Sequence, residues 1–284
     1  KPQQQDPWGP PPYSSTPAPV ELPGSVPDYS PSRPRSRSSA RSSRNASADD
    51  SQYAFLGQFD TIFLVDDSGS MEGRRWREAE AAIAAITPIC TQHDTDGIDI
   101  YFLNHRNRAT QSGAYTNITT PSAVQHIFRQ VRPQGMTPVG QRLRNVLLPY
   151  LKRVRTMAEN TNDYGELKNQ NLAVRPINII AITDGAFSDD VESVVLNAAR
   201  NLDKANVVPW QVGIQFFQIG NDPYARRDLE QLDDGLCQAM RSEPVRDIVD
   251  TVPWKGGSGE TISADYLLKV VLGSVNKKLD RQRG

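Results

Sequence analysis

A carboxylate and two hydroxyls occur at alternate positions directly after an apolar segment. The sequence Asp66-x-Ser68-x-Ser70 follows residues 63–65, and Gly69 lies between the two serines. Glycine adopts backbone angles that other residues avoid, so a tight turn can gather three side-chain oxygens on one side. Such a turn could bind a hard cation, or it could be an ordinary turn stabilised by local hydrogen bonds.

Two further loops carry oxygen donors. Asp184 follows the apolar residues 177–182 and precedes Gly185, and Thr137 precedes Pro138. The proline keeps the threonine backbone extended and favours the start of a helix. Oxygen-only donors suit Mg²⁺ or Mn²⁺, whereas Zn²⁺ prefers histidine or cysteine. We therefore predict a magnesium or manganese site composed of Asp66, Ser68, Ser70, Thr137 and Asp184.

Short apolar segments of strand length must position these loops. They lie at residues 62–65, 98–103, 177–182, 212–219 and 248–252. Their alternation with amphipathic stretches predicts an α/β fold, namely a doubly wound, mostly parallel sheet flanked by helices. Ligands of such sheets bind beyond the carboxyl ends of the strands, where the oxygen-bearing loops begin.

Amphipathic helices are predicted between the strands. One apolar stripe has spacings of three and four, and it consists of Trp76, Ala79, Ile83, Ile86 and Cys90. Similar patterns predict helices at residues 122–131, 139–157, 191–206, 226–240 and 265–279. A further short strand is predicted at residues 114–118, and a polar surface loop at residues 158–175.

The first 50 residues differ in composition from the rest of the chain. They contain 11 of the 21 prolines, 11 serines and few branched apolar residues, so burial cannot offset the entropy of ordering them. We predict a disordered Pro/Ser/Arg-rich tail at residues 1–52 and one folded domain at residues 53–284. The arginine and serine tract at residues 32–44 is interpreted as a solvated linker, with phosphorylation or anion contact as the alternative.

Charge and composition exclude several functional classes. The formal net charge is −1, so we do not expect the folded domain to bind nucleic acid. Two cysteines exclude a disulfide scaffold and a four-cysteine zinc site. No apolar segment approaches the roughly 18 residues that a membrane span needs. With few cysteines and no secretory signal at the start of the sequence, we expect a cytoplasmic location.

The five oxygen donors together resemble the metal-ion-dependent adhesion site of the von Willebrand factor type A family. The resemblance extends from about Phe59 to the end of the sequence, and all five motif positions are matched. Two further stretches, residues 94–102 and 247–254, are similar to a group of fungal members of that family. The resemblance implies the Rossmann-like fold of the family and its use of a bound Mg²⁺.

The resemblance also implies a role for each donor. Ser68 and Ser70 would bind the ion directly, and Thr137 would do so in the ligand-competent state. Asp66 and Asp184 would act mainly through coordinated water. Because neutral hydroxyls leave the cation electrophilic, its remaining position attracts an anionic oxygen. We therefore expect a non-enzymatic interaction module that binds an Asp or Glu side chain of a protein partner.

Two other functions stay open. A haloacid-dehalogenase-like phosphohydrolase would use Asp66 as nucleophile together with the acids Asp189 and Asp190. Ser68, however, stands where such an enzyme needs a general acid. Alternatively, a scaffold could bind through its tail, because residues 7–13 can present an extended proline-rich helix to aromatic grooves.

The other polar groups are interpreted as structural. The aspartates at positions 94, 96 and 99 do not match a calcium-binding loop, and a turn is predicted there. The glycine-rich residues 256–261 lack the lysine of a phosphate-binding loop and are interpreted as a flexible connection. Cys90 is predicted to be a core residue. Asp67 has no motif role and is predicted to face solvent or to stabilise its loop.

Overall fold

The structure is a computed structural model that describes residues 57–93, 96–185, 187–220, 222–242 and 245–252. The predicted tail, the glycine-rich connection at residues 256–261 and the predicted helix at residues 265–279 lie outside the described residues.

The described residues form six strands and five α-helices. The strands are β1 (Asp60–Val65), β2 (Ile98–Phe102), β3 (Tyr115–Ile118), β4 (Ile177–Thr183), β5 (Val212–Gln218) and β6 (Val249–Val252). The helices are α1 (Arg74–His93), α2 (Pro121–Gln130), α3 (Val139–Glu159), α4 (Val191–Lys204) and α5 (Pro223–Ser242). Every strand and helix predicted within this part of the chain is present, with ends that differ by a few residues.

The six strands form one sheet in the order β3-β2-β1-β4-β5-β6. Neighbouring strands are parallel except β3, which runs antiparallel to β2. Among the described strands, β1 lies in the middle of the sheet, β2 and β3 follow on one side of it, and β4, β5 and β6 follow on the other side. This confirms the predicted doubly wound, mostly parallel fold. In such sheets a crevice forms where the direction of winding reverses, which here is the carboxyl edge of β1 and β4.

Helices cover both faces of the sheet. In β1, Phe63 and Val65 pack with α1 and α2, whereas Ile62 and Leu64 pack with α3, α4 and α5. All seven residues of β4 are buried, as expected for a central strand with both faces covered. Cys90 lies in the core, as predicted. Among the described helices, none is both long enough and apolar enough to span a bilayer.

Aspartate side chains fix the starts of two helices near the carboxyl edge. Asp190 is the N-cap of α4 and accepts a hydrogen bond of 3.0 Å from the backbone N of Ser193. The Asp189 carboxylate accepts hydrogen bonds of 2.9 and 2.7 Å from the backbone N atoms of Gly140 and Gln141 in α3. The first turn of α3 is therefore attached to the loop that follows β4.

Two connections away from this edge agree with the sequence predictions. The segment between α3 and β4 is a loop with one short 3-10 turn, Gln170–Leu172, and most of its side chains are exposed or half-buried. Gly97 has a φ of 86° in the predicted turn before β2. Asp94 lies outside the described residues, whereas Asp96 forms an ion pair with Arg175.

The close approach of α3 to residue 190 makes Gly140 sensitive to substitution. An added Cβ at Gly140 would lie 2.5 Å from the backbone O of Asp190, whereas an added Cβ at Gly235 in α5 would meet only the flexible carboxylate of Glu192. We expect Gly140→Ala to destabilise the protein by about 1–3 kcal/mol. Gly235→Ala should be neutral or slightly stabilising, because alanine favours helix. Urea denaturation of both variants checks this, and equal effects would contradict it.

Asp99 makes stability depend on pH at the opposite edge of the sheet. Burial raises the pKa of Asp99 from 3.8 to about 6, although a hydrogen bond from the backbone N of Asn117 opposes the shift. Between these values the folded state binds more protons than the unfolded state, so the free energy of unfolding falls as pH rises. We expect Asp99→Asn to remove this part of the fall between pH 4 and pH 6. Urea denaturation at several pH values in that range measures the free energy of unfolding of both proteins. If it falls equally with pH in the wild type and in Asp99→Asn, the assignment is refuted.

Candidate metal centre

Three loops meet at the carboxyl edge of β1 and β4. Val65 pairs with Ile182, so the next residues of these two strands, Asp66 and Thr183, lie side by side. The backbone N of Asp66 donates a hydrogen bond of 2.9 Å to the backbone O of Ile182. The parallel register therefore places the exit of β1 directly beside the exit of β4.

The carboxylate of Asp66 joins these two exits. Its Oδ1 accepts a hydrogen bond of 2.9 Å from the backbone N of Ser68, and its Oδ2 accepts one of 2.8 Å from the hydroxyl of Thr183. The side chain is fully buried. Burial raises the pKa of Asp66, the hydrogen bonds from Ser68 and Thr183 lower it, and nearby Asp184 raises it. Asp66 is thus held rigidly, with each oxygen engaged by a protein donor.

The two serines of the motif have their hydroxyls close together. The Oγ atoms of Ser68 and Ser70 are 2.9 Å apart, at the start of the 3-10 turn Gly69–Met71. Ser68 is buried, whereas Ser70 is exposed. The predicted tight turn is therefore present, and its hydroxyls meet at the boundary between core and solvent.

The loop that carries Thr137 is attached to this turn by backbone hydrogen bonds. The backbone N of Gly69 donates to the O of Gly135 at 3.2 Å, and the N of Gln134 donates to the O of Asp67 at 2.6 Å. Thr137 is buried, and among the described residues its hydroxyl has no hydrogen-bond partner. The structure thus brings the loops of all five predicted residues together, while their role as metal ligands stays a prediction.

Asp67 is fully buried, so the prediction that it faces solvent was wrong. Its Oδ1 accepts hydrogen bonds from the backbone N of Asn104 at 2.7 Å and from the amide side chain of Asn104 at 3.2 Å. Its Oδ2 accepts one of 2.8 Å from the backbone N of His105. The alternative prediction, that Asp67 stabilises its loop, is confirmed, because the carboxylate ties the exit of β1 to the exit of β2.

Asp184 is bound by an arginine that the sequence analysis did not single out. Nη1 of Arg75 lies 2.7 Å from Oδ2 of Asp184 and 3.0 Å from the backbone O of Ser70. Thr183, which donates to Asp66, was also missed. Thr183 could have been found from the sequence, because it lies next to Asp184 at a strand end. Nothing in the sequence distinguishes Arg75 from Arg74.

The donor set fits a hard divalent cation. It contains two carboxylates and three hydroxyls, and no nitrogen or sulfur ligand. Within the described ranges, no group of three or more His, Cys, Asp or Glu side chains could hold a metal ion. A site here would therefore depend on serine and threonine oxygens. The acids Asp189 and Asp190 cap helices, as described above, and each accepts backbone hydrogen bonds.

Comparison with solved structures finds a similar chain in a von Willebrand factor type A protein from Catenulispora acidiphila, with a TM-score of 0.42 and 15% sequence identity. The similarity covers 76% of this chain and 42% of that chain, so this chain spans less than half the length of the chain it matches. No family model matches the sequence, and no curated protein matches it.

The buried hydrogen bonds of Asp67 predict a large effect of its removal. Asp67→Ala leaves the backbone N atoms of Asn104 and His105 without their acceptor, so we expect a loss of about 2–4 kcal/mol in the free energy of unfolding. Asp163→Ala, at an exposed position between α3 and β4, should change it by less than about 0.5 kcal/mol. Urea denaturation in EDTA measures both, and a loss for Asp67→Ala as small as the control's would contradict the assignment.

Proposed function

We propose that this protein is a non-enzymatic, divalent-metal-dependent interaction module of the von Willebrand factor A type. In this proposal Mg²⁺ or Mn²⁺ is held by Asp66, Ser68, Ser70, Thr137 and Asp184, and a protein partner supplies an Asp or Glu carboxylate. The observation that carries the proposal is the pair of hydroxyls of Ser68 and Ser70, 2.9 Å apart beside a buried aspartate at the winding reversal of the sheet.

The topology supports the assignment to this class. The strand order 3-2-1-4-5-6 places the ends of β1 and β4 at the centre of the carboxyl edge. Ligands of doubly wound sheets bind at this point. The motif residues are distributed over the two central strand exits and the loop before α3, in the same order along the chain as the family resemblance implies.

The hydrogen bonds of Asp66 support its proposed indirect role. Because Ser68 and Thr183 already engage its two oxygens, Asp66 is suited to orient a coordinated water or a hydroxyl ligand. The hydroxyls of Ser68, Ser70 and Thr137 would then be the direct ligands. A cation with mainly neutral ligands keeps most of its charge, and its remaining position would accept a carboxylate oxygen from outside.

Exposed apolar side chains beside the site favour a protein as the partner. Met136, next to Thr137, is 69% exposed, and Tyr224, at the start of α5, is 72% exposed. Gly185 approaches Ala225 so closely that an added Cβ would overlap it, so Tyr224 lies near the exit of β4. Aromatic residues and methionine are enriched in protein interfaces. These two side chains would surround the carboxylate contact with apolar area.

A catalytic role is not part of the proposal. The phosphohydrolase alternative requires a second acid near Asp66 that is free to transfer a proton. Ser68 occupies the position two residues on, and the Asp189 carboxylate is bound to two backbone N atoms of α3. These contacts favour binding over hydrolysis, and release of phosphate from an aryl phosphate, lost in Asp66→Asn, would favour the enzyme.

Thr137→Val tests the proposal with little structural disturbance, because valine keeps the shape of threonine and the hydroxyl has no partner among the described residues. In wild type, saturating Mg²⁺ should raise stability by about 2.7 kcal/mol at a concentration of 100 times Kd. We expect Thr137→Val to weaken Mg²⁺ binding by about tenfold or more, as loss of a metal-site contact does. Thermal unfolding in a magnesium series and in EDTA measures both effects.

Thr156→Val is the matched control, since Thr156 lies near the other end of α3 and its hydroxyl donates to the backbone O of Lys152 within that helix. This variant should respond to Mg²⁺ as the wild type does. Partner capture in Mg²⁺ should disappear in EDTA and in Thr137→Val alone. Identical melting temperatures of the wild type in Mg²⁺, in Mn²⁺ and in EDTA would refute a metal-dependent function.

A further inference from the structure

One arginine contacts two members of the candidate metal centre at the same time. Arg75 lies in the first turn of α1, and its Nη1 donates both to Oδ2 of Asp184 at 2.7 Å and to the backbone O of Ser70 at 3.0 Å. The Asp184 side chain is 6% exposed, and the Arg75 side chain is 33% exposed. A positive charge from the protein therefore already sits on an acid of the site, at its solvent boundary.

The exit of β5 provides the space for this arginine. Gly220 has a φ of 81°, and an added Cβ there would lie 3.2 Å from Nε of Arg75. A side chain at position 220 would therefore crowd the guanidinium group. Two hydrogen bonds, to Ser70 and Asp184, hold the charged group at the centre, and the missing side chain at Gly220 leaves room for it.

The charge of Arg75 has consequences for any cation at this site. The guanidinium group of arginine carries a positive charge. The Arg75 guanidinium pairs with the nearly buried Asp184 carboxylate and so offsets the free-energy cost of removing that carboxylate from water. A divalent ion that uses Asp184, directly or through water, must share that carboxylate with Arg75 and is repelled by it.

We propose that Arg75 is an internal counter-cation that holds Asp184 when no metal is bound and competes with the divalent ion for the site. The inference rests on the proposed metal-dependent function and adds to it a residue that lowers metal affinity. Without Arg75, Asp184 would be fully available to the ion. Arg75 therefore allows the domain to fold without metal and sets the metal concentration at which the site fills.

The test measures Mn²⁺ affinity by isothermal titration calorimetry on the full chain. Arg75→Gln removes the charge, and we expect it to bind Mn²⁺ about tenfold more tightly than the wild type, an estimate that allows for solvent screening of a half-buried charge. Arg74→Gln is the matched control. It makes the same substitution one residue earlier, where the side chain is 58% exposed and pairs with Glu78. Its affinity should equal that of the wild type.

A second variant separates charge from packing. Arg75→Lys keeps the positive charge, so its affinity for Mn²⁺ should stay within about threefold of the wild type.

Melting temperatures add an independent readout: Arg75→Gln should lose stability in EDTA and recover it in Mn²⁺, so its metal-dependent increase in melting temperature should exceed that of the wild type. A merely structural arginine would lower the melting temperature equally in both conditions.

The outcomes distinguish the inference from the proposed function. If the wild type binds Mn²⁺ and Arg75→Gln binds with equal or lower affinity, the inference is overturned while the metal-dependent function stands. The inference is also overturned if Arg75→Lys and Arg75→Gln both bind Mn²⁺ more tightly than the wild type and with equal affinity, since the charge would then have no effect. If none of the proteins binds Mn²⁺ or Mg²⁺, both proposals fall.

Discussion

The candidate centre depends on one buried carboxylate. Asp66 lies where β1 ends, and its two oxygens bind the backbone of Ser68 and the hydroxyl of Thr183. Burying a charge without partners is costly, and these two hydrogen bonds offset that cost only when the exits of β1 and β4 lie side by side. The parallel register of the two strands provides this arrangement. The geometry of the serine turn is thus fixed by the fold, before any ligand is considered.

Three aspartates at the carboxyl edge, two of them in the candidate centre, are compensated in three different ways. Asp66 is bound by hydrogen bonds from neighbouring loops, Asp67 by donors of Asn104 and His105, and Asp184 by the guanidinium of Arg75. The carboxylates therefore hold the loops together, and the hydroxyls of Ser68, Ser70 and Thr137 are the neutral oxygen donors beside them. In the proposed function, this division of roles lets a folded domain bind and release an ion without losing its structure.

The sequence predicted the fold, and the structure brings together the loops of the five residues that the sequence suggested as metal ligands, whose role as ligands stays a prediction. Strands with both faces covered must be apolar almost throughout, which made β1, β4 and β5 recognisable, and each oxygen donor lies next to a strand or helix end. The contacts of Asp67 and Arg75 could not be predicted in this way. Asp67 is bound by residues 37 and 38 positions away, and Arg75 by a residue 109 positions away, so both contacts depend on the three-dimensional arrangement of loops.

A crystal structure with Mn²⁺, with data collected for anomalous scattering of manganese, tests the central claim most directly. The account predicts one strong anomalous peak between the three loops, within bonding distance of the hydroxyl oxygens of Ser68 and Ser70. In that structure the two hydroxyls would turn toward the ion. A map in which manganese binds elsewhere, or nowhere, while these hydroxyls stay hydrogen-bonded to each other, would contradict it.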